Sequence, residues 1–138
     1  MRVEFYVLPS ASHEGRMRAA CKLAAKAWKA GLPVFLRGAD DAQCAALDQL
    51  LWHFRAESFI PHGLFEDDPQ APVVIGLDQR PAHNDGVLLN LHPQLSPHLP
   101  CFSRVIEIVN QEPELLARCR ENFLQYRQLG HAPRRVEL

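Results

Sequence analysis

Several common signatures of chemistry are missing from this 138-residue chain. It has neither GxGxxG nor GxxxxGK[ST], so a nucleotide pyrophosphate has no ready cradle. The turn after the first strand-like segment, residues 9–15, holds one glycine, Gly15. None of the four cysteines (Cys21, Cys44, Cys101, Cys119) lies in a CxxC pair, and buried free thiols of a cytoplasmic protein are the expectation. The seven histidines include no HExxH pair and none close to a cysteine in zinc-finger spacing, so no metal site is expected. Cys101 lies near His92 and His98, but closeness in sequence is a weak basis for a thiol nucleophile. Lysines are few and the net charge is −1, which excludes a general nucleic-acid adhesive. No apolar run approaches the ~20 residues of a membrane span. The first residues read as a strand rather than a secretory signal. Repeats, heptads and low-complexity stretches are absent.

What is present is ordinary in amount and uneven in placement. Apolar residues make up 47% and charged residues 22%, enough for one domain over residues 1–138 with a substantial core. Residues 117–138 hold five arginines against Glu121 and Glu137, a balance of +3, which leaves about −4 for the remainder. A basic end on a slightly acidic body suggests a local anionic partner.

The periodicity predicts strands over residues 3–8, 34–36, 72–76, 87–91 and 104–109. Apolar steps of three and four predict helices over residues 14–30, from an Asp40/Gln43 capping box to about Trp52, and from Pro113 to about Leu129. Gly31 and Gly130 are suited to end the first and last of these. Residues 53–71 read mostly as irregular chain, and residues 77–86 as an exposed loop. The β runs are apolar rather than alternating and intersperse with helices. Both facts predict an α/β fold, a three-layer Rossmann-like domain with a mainly parallel central sheet and helices on both faces.

Two groups of residues look like docking ground. Trp52 and Phe59, with Phe54 and Leu64 nearby, place large aromatics beside a helix end and a proline turn. Such residues dominate interface energetics, although they could equally fill the core beneath a loop. On the last helix, Leu115, Cys119 and Tyr126 should face the sheet, while Leu116, Arg120, Phe123, Leu124 and Arg127 form a separate stripe. Arginines bracketing an apolar pair suit a peptide with an apolar tip and a carboxylate, and Arg134 and Arg135 in the tail could attract acidic residues upstream of that tip. The alternatives are a solvated helix face with Phe123 tucked against the tail, or base stacking of single-stranded nucleic acid.

The chain resembles a known family over most of its length. The match runs through Phe5-Tyr6-Val7-Leu8, Ala27-Trp28-Lys29-Ala30-Gly31, Asp48-Gln49-Leu50-Leu51-Trp52, Ala56-Glu57-Ser58-Phe59-Ile60-Pro61-His62, Val87-Leu88-Leu89-Asn90-Leu91 and Arg120-Glu121-Asn122-Phe123-Leu124-Gln125-Tyr126-Arg127. The block from Trp52 through Ala56–His62 is the most specific part. The family is the chi subunit of the bacterial DNA polymerase III clamp-loader complex. The resemblance implies a non-enzymatic, cofactor-free cytoplasmic adaptor in DNA replication, with nucleic acid contacted mainly indirectly and no membrane. It implies a psi-subunit surface at Trp52 and Phe59, where a repair helicase is a further candidate. It also implies a patch at Arg120, Phe123, Leu124 and Arg127 for the acidic, Phe-terminated tail of single-stranded DNA-binding protein. Phe123 stands where a family member has Tyr, and Leu124 where a Lys would add charge. Residues 66–68 and the shortened C-terminal tail match less well. The competing expectation is a small α/β enzyme or nucleic-acid-binding domain acting on a nucleotide or single strand. A deep pocket with converging titratable groups would favour it.

Overall fold

The computed structural model describes residues 1–54 and 59–138. The strands are β1 (Arg2–Val7), β2 (Val34–Arg37), β3 (His62–Leu64), β4 (Val73–Gly76), β5 (Gly86–Asn90), β6 (Phe102–Val109) and β7 (Arg134–Glu137). The helices are α1 (His13–Lys29), α2 (Asp41–His53) and α3 (Pro113–Gln128), with a short 3-10 turn at Leu99–Cys101. The strands form a seven-stranded sheet in the order β3-β4-β2-β5-β6-β1-β7. Every pairing is parallel. This is the expected three-layer Rossmann-like α/β fold.

Local chemistry sets the helix ends. The Ser12 hydroxyl accepts from the Gly15 N–H at 3.0 Å to start α1. Asp40 Oδ1 accepts from Gln43 N at 2.8 Å, while Gln43 Oε1 accepts from Ala39 N at 2.6 Å, so the reciprocal cap reaches one residue further back than a standard capping box. At α3 the Glu112 carboxylate accepts from Glu114 N and Leu115 N, a negative charge at the helix's positive end. Gly31 and Gly130, with φ of 84° and 91°, follow α1 and α3 in the left-handed region that a helix-ending residue commonly adopts.

The central strands β2, β4 and β5 are buried on both faces, which explains their unbroken apolar runs. Leu36, Ile75, Leu89 and Ile108 pack with α1 and α2. Phe5, Phe35, Leu88 and Val105 pack on the opposite face with Tyr126 and the inner side of α3. Gly86 marks a close approach of backbone to backbone. A Cβ there would lie 2.5 Å from the Pro33 carbonyl oxygen, which already accepts from Val87 N. Gly86→Ala is expected to lower the unfolding free energy by about 2 kcal/mol, read as a shift in the urea midpoint at unchanged slope.

Two strands depart from the sequence expectation. β3 lies inside residues 53–71, read there as irregular. It pairs with β4 from His62↔Val73 to Leu64↔Ile75 and is too short, with Gly63 at its centre, to show a period. β7 lies where a tail was expected. It pairs with β1 from Glu4↔Arg134 to Val7↔Glu137. As an edge strand it is largely exposed and highly charged, so it lacks apolar alternation.

Candidate docking surfaces

The first candidate surface sits at the β3 edge. Trp52 near the end of α2 and Phe59 just before β3 are the most exposed aromatics, at 52% and 61%. Their rings lie 5.5 Å apart at 46°. Beneath them is His62, whose side chain is 1% exposed and whose ring meets Trp52 edge-on at 4.8 Å. His62 Nδ1 lies 2.6 Å from the Ile60 carbonyl oxygen, and Nε2 lies 3.2 Å from that of Asp48 and 3.3 Å from the Asp48 carboxylate. The imidazole thus ties α2 to β3 and fixes the two indole and phenyl faces that look outward. Sequence reasoning placed His62 within the mostly irregular stretch 53–71, gave it no role of its own, and missed this one. Its position beside Pro61 and three residues from Phe59 was the available signal. Phe54 and Leu64 instead pack partly buried against the core. Ala56, Glu57 and Ser58 of the family-like block lie outside the described residues.

The second candidate surface is a cleft of about 540 Å³ at the β7 edge. Its floor is Phe5, Val7 and Val109, near the carboxyl ends of β1 and β6. One wall is α3, through Leu116, Arg120, Phe123 and Leu124, and Arg135 of β7 also lines it. Phe123 is half-buried on Phe5, with centroids 5.3 Å apart. The Arg127 guanidinium carbon lies 5.7 Å from the Phe123 ring centroid, a cation–π arrangement. Leu124 is 56% exposed. Among the described residues Arg120 and Arg127 have no carboxylate partner, whereas Arg118 pairs with Glu121 and Arg135 with Glu137. The geometry therefore joins an apolar floor to cationic groups available to an outside anion.

α3 is held against the sheet by a polar row that sequence reasoning did not find. Arg37, Asn90 and Glu107 occupy the same register on β2, β5 and β6, on the α3 face. Arg37 donates to Asp78 Oδ1 at 2.6 Å, to Asn90 Oδ1 at 3.2 Å and to the Gln94 carbonyl at 2.6 Å. Asn90 Nδ2 donates to Glu107 Oε2 at 2.9 Å, and the Tyr126 hydroxyl donates to the same oxygen at 2.6 Å. Burial lifts the Glu107 carboxyl to about 7, against the hydrogen bonds from Tyr126 and Asn90 and the attraction of Arg16 and Arg37. Burial also drives the Tyr126 hydroxyl strongly upward, reinforced by Glu107. Asp78 is lowered mainly by its hydrogen bond from Arg37.

These converging groups have the look of an active site without its access. The space beside Glu107, between Arg16, His92 and Asn122, is about 20 Å³, room for about one water. Tyr126, which caps the carboxylate, is fully buried. The row is a structural lock on α3. The thiol hypothesis fares no better. The ring of His98 binds the Asp78 carbonyl and that of His92 accepts from Gln94 N, and neither hydrogen-bonds Cys101. Burial pushes the thiols of Cys21 and Cys119 up to about 12, far from a reactive thiolate. Among the described residues no three potential ligands gather around a metal position, and no helix is long and apolar enough to cross a membrane.

The fold is an α/β scaffold that carries an outward aromatic pair and a basic, apolar cleft, and comparison with known proteins places the chain in a family. The family model described as DNA polymerase III chi subunit, HolC, matches residues 1–134. The chain is 46% identical over 130 residues to the DNA polymerase III subunit chi of Pseudomonas aeruginosa, covering 94% of this chain and 92% of that one. It is 34% identical over 113 residues to the subunit chi of Escherichia coli K12, covering 80% and 77%. It is 28% identical over 130 residues to that of Haemophilus influenzae, covering 92% and 90%. The chain belongs to the DNA polymerase III chi-subunit family, a non-catalytic accessory subunit of a DNA polymerase assembly.

Proposed function

We propose that this chain works as a single-domain cytoplasmic adaptor of the DNA polymerase III holoenzyme, holding two protein partners at once. Trp52 and Phe59 receive the psi subunit, which tethers the chain to the clamp loader. The cleft receives the acidic C-terminal tail of single-stranded DNA-binding protein. In the cleft the terminal Phe of the tail packs beside Phe123 and Leu124, while Arg120 and Arg127 hold its carboxylates.

The observation that carries this reading is the separation of two chemically different surfaces. The aromatic pair adjoins β3 and the cleft adjoins β7, at opposite edges of the sheet. Six inter-strand steps of ~4.8 Å put the edge strands β3 and β7 roughly 29 Å apart, with the cleft floor on β1 and β6 one to two steps nearer to β3. A weak tail contact gains through multivalency when the partner carries several tails.

Calorimetric titration with an acidic peptide ending in Phe tests the cleft. Arg127→Ala is expected to weaken binding roughly tenfold, through loss of one charge-assisted contact, with the fold intact. The wild-type affinity should fall as salt rises. Unchanged affinity in Arg127→Ala would remove this residue from the site.

A further inference from the structure

On the β7 side of the cleft the lining cation, Arg135, carries a carboxylate partner. Strand alternation places Arg135 and Glu137 on one face of β7, in register with Phe5 and Val7 of the cleft floor. Arg135 Nε lies 2.7 Å from Glu137 Oε1, and both side chains are 66% exposed. The cleft is thus lined by one arginine without a carboxylate partner on α3, Arg120, and across the floor by Arg135, already holding one, while Arg127 stands against the ring of the lining residue Phe123.

We propose that Arg135 is a carboxylate-binding residue of the cleft and that Glu137 is its internal competitor, displaced when an acidic peptide binds. The inference rests on the proposed function of the cleft. An ion pair this exposed contributes little to the fold, so Arg135 can exchange Glu137 for a peptide carboxylate at small cost. Glu137 then acts as a tuning element. It occupies the guanidinium in the free protein and discriminates against peptides too weakly acidic to replace it. Arg135 also supplies, from the opposite wall, a positive charge that Leu124 does not carry on α3.

The test is a fluorescence-anisotropy titration of a labelled peptide, several aspartates followed by a terminal Phe with a free carboxylate, against the full chain. Glu137→Gln should tighten binding about two- to fivefold at low salt, and Arg135→Ala should weaken it roughly fivefold. The double variant Arg135→Ala/Glu137→Gln should match Arg135→Ala alone, because Glu137 acts through Arg135. Equal tightening by Glu137→Gln with and without Arg135 would reveal general charge repulsion and overturn the inference. So would an Arg135→Ala variant that binds like wild type while Arg127→Ala binds weakly, an outcome that leaves the cleft itself in place. A wild-type chain that does not bind the peptide would remove both.

Discussion

Phe59→Asp is expected to abolish association with the psi subunit, a loss of at least about 100-fold or roughly 3 kcal/mol, while leaving the chain folded and the cleft competent. The magnitude follows from where the ring sits. Phe59 is 61% exposed and stacked obliquely on Trp52, so little of its area is used within the chain. Truncating an aromatic anchor at the centre of an interface costs about 2 kcal/mol or more, and a carboxylate in its place must also be desolvated. Stability should move by less, about 0.5–1 kcal/mol, the worth of one aromatic pair. Three measurements decide the matter: psi titration, urea midpoint and tail-peptide affinity. Loss of both partners together with a lowered midpoint would mean unfolding. Intact psi binding would mean that the aromatic pair serves something else.

The same surface shows what a sequence can and cannot convey. Trp52 and Phe59 were legible because large apolar side chains near a helix end and a proline turn have few placements. Their exposure was not legible, since a core-filling pair would have read the same way. On α3 the structure buries Tyr126 and turns Leu116, Arg120, Phe123 and Leu124 toward the cleft as expected, but Cys119, expected to face the sheet, also lines the cleft, and Arg127, expected on the stripe, does not. The floor and far wall of the cleft were invisible. Phe5, Val109 and Arg135 are distant in sequence and meet only because β1 pairs with β6 on one side and β7 on the other. β7 itself was read as tail because an edge strand carries charge instead of a period. The five strands that were recognised are those whose burial forces an apolar run.

The row Arg37–Asn90–Glu107 was the least legible feature, and it carries the second large expectation. Arg37 and Asn90 stand at the ends of apolar strands, where polar residues normally announce the exit to a loop, and Glu107 lies two residues before the end of β6. Parallel register instead sets them side by side under α3. Glu107 is buried and its carboxyl titrates near 7, against 4.5 for an ordinary glutamate. Between these values the folded chain keeps a proton that the unfolded chain releases. The contribution of Glu107 to stability is therefore fully present below about pH 4.5 and lost as pH rises through about 7. The difference corresponds to about 3 kcal/mol. Urea unfolding is expected to show wild type losing stability of this order between about pH 4.5 and 7, relative to Glu107→Gln. The glutamine oxygen can still accept from Tyr126 and Asn90 but carries no charge to bury. Because every other ionisable group is common to both proteins, the difference between the two curves isolates Glu107. Parallel curves would show that the carboxylate is stabilised in place, with Tyr126, Asn90 and the nearby arginines outweighing burial. Glu107→Ala should be destabilising at every pH, since it strands the Tyr126 hydroxyl at about 1–3 kcal/mol and one of the two Asn90 Nδ2 hydrogens, the amide keeping its bond to the Gln94 carbonyl. The lock matters beyond stability. Tyr126, whose hydroxyl donates to Glu107, is one turn from Phe123 on the same helix, and both rings pack on Phe5.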